Sequence, residues 1–299
     1  MELVREEIRR HLPRDGEARR LFHGRGRIFP GFEDLTIDSY GPLTLVILYQ
    51  PRPSSWLTDL AVFLLQEVAG TVAVLVQERY LPQSPSRVVA GELPAEVDAV
   101  EGGLRYRLRL GQGRNIGFFP DMAGGRRLVR QIAAGRDVLN LFAYTCGFSV
   151  AALAGGACRV VNLDMNRGAL ELGRLNHRLN DLDPRRVGYL PHELFRSFGK
   201  LTRLGPFDLV ICDPPATQGE SFTAERHWPK LLRRLLELLA PGGEFLLCRN
   251  GPGLPAGFIE NLVATLLPMA ERLAVRTPGE DFPEVDPDQG TCLFHYRLP

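Results

Sequence analysis

Between Asp137 and Pro268, short apolar runs alternate with helical patterns, and this alternation constrains the fold more than any other feature of the chain. DVLNLFA, RVVNLD, RVGYLP, FDLVICD and GEFLLCRN read as strands, while GFSVAALAGG, GALELGRLNHRLN, WPKLLRRLLELL and FIENLVATLLP carry the apolar spacing of helices. Strands joined through helices form a parallel sheet with right-handed crossovers. They are apolar along their whole length because helices cover both faces. The carboxyl end breaks the pattern: RLAVRTP and TCLFHYRLP are two strands with no helix between them, which predicts an antiparallel pair at the sheet edge. The expectation is an α/β fold with a mostly parallel seven-stranded sheet and an antiparallel edge strand.

Residues before about Arg105 read differently. TLVILYQ and TVAVLVQERY are strands flanking the helix WLTDLAVFLLQEVA, with turn signals at Gly41-Pro42 and Pro51. This predicts a small α+β domain over residues 1–104 ahead of a larger domain over 105–299. DAVEGGLRYRLRL predicts a hairpin turning at Gly102-Gly103, and the proline- and serine-containing segment from Pro82 to Pro94 predicts a flexible connection. The start, MELVREEIRRHL, predicts a charged amphipathic helix rather than a signal sequence. No apolar run approaches the roughly 20 residues that cross a bilayer. The expected setting is cytoplasmic, with no membrane partner.

Five cysteines, Cys146, Cys158, Cys212, Cys248 and Cys292, are dispersed without a CxxC pair, and their odd number argues against a complete disulfide framework, so most are expected to be buried thiols in strands. His192, His227 and His295 make no ligand spacing with them, so no metal is expected. His227 and Trp228 start a helix, where packing is the expected role. A formal charge of +1 gives no global signal for nucleic acid. Locally, Arg105, Arg107 and Arg109 alternate along what a strand would make one face, and Arg114, Arg126, Arg127 and Arg130 follow. Such a basic stripe suits phosphate, and a solvated strand face accounts for it equally well. The acidic residues Glu280, Asp281, Glu284, Asp286 and Asp288 offset it; a loop that screens the site or excludes wrong nucleic acids is one reading there, and a solvated loop is the default.

Ligands of open α/β sheets bind at the carboxyl ends of the strands. FDLVIC ends there in Asp213, Pro214 and Pro215, two residues without amide donors that hold a rigid turn. The loop Asn140-Leu-Phe-Ala-Tyr-Thr-Cys-Gly147 precedes a helix whose amino end can hold an anion. It lacks the G-x-G-x-x-G of a nicotinamide site. Asp164, ending the second strand, can take both hydroxyls of a ribose or cap the following helix. Glu193 can accept from an adenine amino group or start a helix.

NIGFFPD, VLNLFAYTCGFSVAALAGGA, VVNLDMNRGALELGRLN, ELF and FDLVICDPP together resemble the bacterial large-subunit (23S) ribosomal RNA methyltransferases that modify carbon 5 of cytosine or N7 of guanine. RLFHGRGRIFPGFEDLTIDSYGP resembles the small domain preceding their catalytic domain, whereas their PUA module has no obvious counterpart. The resemblance implies a Rossmann-like class I methyltransferase that uses S-adenosylmethionine and releases S-adenosylhomocysteine, with RNA as partner. It implies that Phe142, Tyr144, Thr145 and Gly147 line the methionine part of the cofactor, with Phe118, Phe119 and Asp121 near it. Asp164 would hold the ribose, Glu193 the adenine, and Asp213 to Pro215 the reacting end, with Asn140, Ala143 and Met165 also among the cofactor contacts. Where the family has glutamine or histidine and then arginine after the acid, this chain has Met122-Ala123.

Methylation at cytosine carbon 5 needs a cysteine thiolate to add to the ring. In the cytosine-type relatives that cysteine lies seven positions beyond the Gly-Gly turn, and counting from Gly243 reaches Asn250. The guanine-type relatives carry asparagine near that point, so Asn250 leans the expectation to a nitrogen acceptor such as guanine N7. Cys248 and Cys212 are expected to be structural thiols. Amino-nitrogen methyltransferases place an aromatic directly after the prolines; here Ala216-Thr217 stand there, and Phe222 is a candidate to stack the base or to pack locally. Alternatives are a cytosine-5 enzyme, a methyltransferase acting on a protein or small molecule, and a catalytically silent RNA-binding relative.

Overall fold

A computed structural model describes residues 1–299 except 14–15, 112, 216, 219–221, 251–253 and 255–256, with backbone only at 217, 218 and 289. The chain forms two compact units, residues 1–120 with 279–287 and residues 121–278 with 288–299. The sequence reading put a boundary at 104/105; the units divide at Pro120/Asp121.

The first unit holds α1 (Glu2–Arg10), β1 (Arg19–His23), β2 (Leu35–Tyr40), β3 (Leu43–Leu48), α2 (Ser54–Glu67), β4 (Ala73–Glu78), β5 (Ser86–Gly91) and a hairpin of β6 (Asp98–Glu101) and β7 (Leu104–Arg107). Its sheet runs β1-β2-β3-β4-β5 and is antiparallel except at β3 and β4, which are parallel because α2 carries the chain back between them. Val4, Ile8, Leu57 and Leu64 from the helices are buried with Leu21, Ile37, Val46 and Val76 from the strands. The segment expected to be a flexible connection contains β5, paired to β4. SRVVAG is half exposed, as an edge strand is, and its polar residues hide the pattern.

In the second unit are α3 (Ala123–Ile132), β8 (Asp137–Leu141), α4 (Gly147–Ala154), β9 (Arg159–Leu163), α5 (Arg167–Leu179), β10 (Val187–Leu190), α6 (Phe198–Leu204), β11 (Phe207–Cys212), the short pair β12 (Thr217–Gln218) and β13 (Phe222–Thr223), α7 (Ala224–Leu235), β14 (Leu239–Arg249), α8 (Phe258–Leu266), β15 (Glu271–Arg276) and β16 (Cys292–Arg297). The seven-stranded sheet has the order β10-β9-β8-β11-β14-β16-β15. The order reverses after β8, so the carboxyl ends of β8 and β11 flank a switch point. The last strand inserts between β14 and β15, antiparallel to both, one place in from the edge. α3, unforeseen in the sequence, packs beside α4 and contributes Leu128 and Val129 to the core. No described helix is long and apolar enough to cross a membrane.

The strand arginines of the basic stripe are paired in three dimensions. Arg107 lies opposite Asp98 in the β6–β7 ladder and pairs with it at 2.5 Å and with Glu96 at 2.5 Å, and Arg105 reaches Asp98 at 2.7 Å. Arg126 is buried on α3. Cross-strand acids neutralise the strand arginines, a pairing that the alternation of residues along β7 alone does not reveal.

Candidate active site

The loop after β8 is unusual in its backbone. Phe142, Tyr144 and Cys146 take left-handed φ values of 59°, 47° and 63°, a conformation costing about 1–2 kcal/mol for each side-chain-bearing residue. Surrounding bonds impose it. The Ala143 amide donates to the Leu163 carbonyl at 3.0 Å, the Cys146 amide to the Ala143 carbonyl at 2.7 Å, and the Asn176 side chain to the Thr145 carbonyl at 3.0 Å. Gly173 of α5 sits against Cys146, where a Cβ would strike the sulfur. The result is a tight crook at the amino end of α4.

Asp164, 6% exposed, is the pin of this crook. One carboxylate oxygen accepts the Tyr144 amide at 2.8 Å and the other the Asn166 amide at 2.8 Å. Burial raises its pKa, and the two amide bonds oppose the rise. Asn166, which the sequence reading did not single out, caps α5 by accepting the Ala169 amide at 3.0 Å; the Asp-x-Asn spacing after an apolar strand is the signal that would have found it. Asp164 lines a cleft with Phe142, Leu163, Met165, His192, Glu193, Leu194 and Phe195. Met165 is 46% exposed at its rim. Glu193 accepts the Phe195 and Arg196 amides at 2.9 and 2.8 Å, so it organises its own turn with both oxygens and keeps only spare lone pairs.

Beneath the crook runs a buried polar chain. Asn140 donates to Asn162 at 3.0 Å, Asn162 donates to Ser149 at 3.0 Å, and the Ser149 hydroxyl is 2.8 Å from His177 Nε2, whose Nδ1 lies 2.7 Å from the Gly173 carbonyl. Burial pushes His177 down to about 4. The ring is therefore neutral at pH 7, which fixes Nδ1 as donor and Nε2 as acceptor. Asn140 Oδ1 is buried and has no partner among the described residues.

The second half of the site lies at the ends of β11 and β14. Asn250 donates to Asp213 at 2.6 Å and to the Pro214 carbonyl at 3.0 Å. Burial pushes the Asp213 carboxyl up to about 6 and the Asp121 charge adds to this, while the Asn250 and Cys248 hydrogen bonds and the Arg126 guanidinium oppose it. Asp121 accepts the Thr291 hydroxyl at 3.2 Å. Arg126 lies against Gly147. Burial, with Asp213 beside them, raises both the Cys212 and Cys248 thiols, so neither is a thiolate at neutral pH.

Phe118 is a core ring of the first unit, 5.1 Å from Tyr106 and 6.2 Å from Tyr40. Phe222 is 1% exposed, packed on Phe142, His227 and Trp228, and so is not available to stack a base. Met122 is a core residue of the second unit. Phe119 is 41% exposed. Ala216 lies outside the described residues, and nothing is described of the Thr217 side chain. Among the described residues no three His, Cys, Asp or Glu side chains gather as metal ligands.

A seven-stranded sheet with this order, a left-handed crook after the first strand and an acid ending the second define a class I methyltransferase. The chain matches the S-adenosylmethionine-dependent methyltransferase family over residues 19–297 and belongs to it. It is 34% identical over 165 residues to the ribosomal RNA large subunit methyltransferase I of Aeromonas hydrophila, a stretch covering 53% of this chain and 42% of that protein. Identity to the protein of the same name from Serratia proteamaculans is 31% over 188 residues, 62% and 48% of the two chains. The matched region thus spans about half the length of these relatives. A crystal structure of a methyltransferase complexed with SAH, S-adenosylhomocysteine, superposes with a TM-score of 0.83 at 25% identity, covering 95% of this chain and 76% of that one. A protein from Streptococcus mutans described as an S-adenosylmethionine-dependent methyltransferase shares the fold, with a TM-score of 0.86 at 24% identity over 99% and 81% of the chains.

Proposed function

We propose that this methyltransferase acts on a base of large-subunit ribosomal RNA, at a ring nitrogen such as guanine N7. The observation that carries the reading is Asn250, which stands where the cytosine-type relatives place their cysteine and is committed to Asp213 and Pro214. The names of the curated relatives support ribosomal RNA as substrate.

The cleft fits the cofactor: a carboxylate for a ribose diol lies among Phe142, Met165 and Phe195, which offer apolar surface to a purine. Asp164 holds the ribose hydroxyls, Glu193 faces the adenine through its spare lone pairs, and Tyr144, Thr145 and Gly147 receive the methionine end. Arg126 lies buried against Gly147 and places a positive charge near that end. S-adenosylmethionine supplies an activated methyl group on a sulfonium. Placement is the chain's part, and alignment alone accounts for about 7–11 kcal/mol of barrier. Guanine N7 carries a lone pair and no proton, so no general base is required. Ionised Asp213, held by Asn250, orients the base by accepting from it, and Pro214 and Pro215 keep that turn rigid.

The protein incubated with deuterated-methyl S-adenosylmethionine and unmodified ribosomal RNA, followed by nucleoside mass spectrometry, tests this. Labelled 7-methylguanosine is expected. Label in 5-methylcytidine would overturn the nitrogen assignment, and label only in protein or small molecules would overturn the RNA assignment.

A further inference from the structure

We infer that the first unit carries a binding surface for single-stranded RNA, formed by Arg25 and Arg79 over Tyr49 together with the exposed Arg27 and Arg114 on the turn and loop adjoining them. This rests on the RNA reading above and says where the substrate is gripped.

Arginine in this unit is usually matched by an acid. Arg19, Arg20, Arg52, Arg87, Arg105 and Arg107 each pair with a carboxylate. Arg25, Arg27, Arg79 and Arg114 make no such pair among the described residues. Arg25 and Arg79 both lie over the Tyr49 ring, 4.3 and 5.5 Å from its centroid. Arg79 is fixed there by donating to the Tyr49 hydroxyl at 2.9 Å and to Gln77 at 2.8 Å, and it also donates to the Arg114 carbonyl at 2.9 Å. That last bond, with Gln77 donating to the Gly113 carbonyl at 3.1 Å, ties the loop carrying exposed Arg114 to the end of β4.

The turn Gly24-Arg25-Gly26-Arg27 has its glycines buried and its arginines exposed. A Cβ at Gly24 would strike the Phe32 carbonyl, and one at Gly26 the Pro283 carbonyl. Close packing therefore turns the two arginines outward. His23, on the same turn, adds no charge, because burial and the neighbouring Arg20 and Arg25 push it down to about 3. Glu284, which accepts from His23 Nε2 at 3.3 Å, is an acid that feels the charges of Arg25 and Arg27. Two positive charges remain in excess even if Glu284 and one further acid are counted against the four.

Two guanidiniums over an aromatic ring, flanked by exposed arginines without an acid pair among the described residues, match the alternation of phosphate and base in a single strand: the fork binds phosphate oxygens and the plane stacks on bases. An acidic peptide would use the charges and leave the stacking surface idle.

The test titrates the full chain with an unstructured, fluorescein-labelled RNA oligonucleotide by anisotropy over a series of potassium chloride concentrations. Replacing Arg25 and Arg114 together by alanine is expected to flatten the salt slope by about 1.4, two phosphates at about 0.7 each on a single strand. Tyr49→Ala is expected to weaken binding about fivefold or more through loss of stacking support. Arg25→Lys should keep the slope and lose affinity. Cofactor affinity and melting temperature serve as controls for folding. If the wild type binds RNA and the double variant binds it with the same slope, this surface is wrong while the RNA reading stands. Failure of the wild type to bind RNA at any salt concentration overturns both. Equal competition by polyglutamate overturns the RNA assignment of the surface.

Discussion

Asn250 and Asp213 are joined at 2.6 Å, side-chain amide to carboxylate, across the ends of two adjacent parallel strands. The amide also reaches the Pro214 carbonyl at 3.0 Å. One side chain thus fixes both the acid and the turn that follows it.

Asp213 has a folded pKa of about 6 against 3.8 for an ordinary carboxyl, so the folded state binds the proton more tightly than the unfolded one. Stability therefore falls as pH rises from about 4 to about 6, by up to about 3 kcal/mol. Asp213→Asn is expected to melt higher than the wild type at pH 7.5, to lose that advantage below pH about 4, and to lose methyl transfer. Melting curves across pH check the first point; a difference that does not change with pH would contradict it.

Asp164→Ala should weaken S-adenosylmethionine binding by about 10- to 100-fold, equivalent to about 1.5–3 kcal/mol for charge-assisted bonds. Calorimetric titration measures this. The carboxylate also holds the Tyr144 and Asn166 amides, so the variant loses the crook as well as the ribose contact. Unaltered affinity in a folded variant would remove Asp164 from the site.

Glu244, 2% exposed, is gripped by Arg136, His295 and Arg297 at 2.8 to 2.9 Å. Burial opposes ionisation, yet these partners hold its carboxyl down at about 2. A depressed pKa contributes stability above the unfolded value of about 4.3 that is lost as pH falls towards 2. Glu244→Gln should cost about 2–3 kcal/mol at neutral pH and nothing near pH 2. Denaturant titrations at several pH values read the convergence.

Cys248 and Cys212 are buried and protonated. Single replacement of either by alanine should preserve methyl transfer, and RNA carrying 5-fluorocytidine should form no adduct that survives denaturing electrophoresis. A covalent band lost in one of the two variants would establish a cysteine mechanism instead.

Strand and helix alternation, the two carboxylates at strand ends and the place of Asn250 were legible because they depend on spacings of two to four residues and on where an apolar run stops. The edge strand β5 and helix α3 were not: one is half exposed, the other is punctuated by Gly124, Gly125 and four basic or amide side chains between Arg126 and Gln131. Phe222 looked like a loop aromatic and is a core ring, since burial is decided by what surrounds it.

The sequence by itself determined the α/β class, the seven strands and the acids Asp164 and Asp213, all consequences of local periodicity and chain stops. Only the tertiary structure decided which charges stay free. Arg105 and Arg107 are matched by Asp98 and Glu96 at a hairpin, and Asp281 reaches back over 262 residues to Arg19 at 2.8 Å, drawing part of the acidic loop into the first unit. Arg25, Arg27 and Arg114, no more basic on paper, remain exposed without such a pair among the described residues. Coulomb attraction depends on distance in space, and no local window of sequence contains that distance.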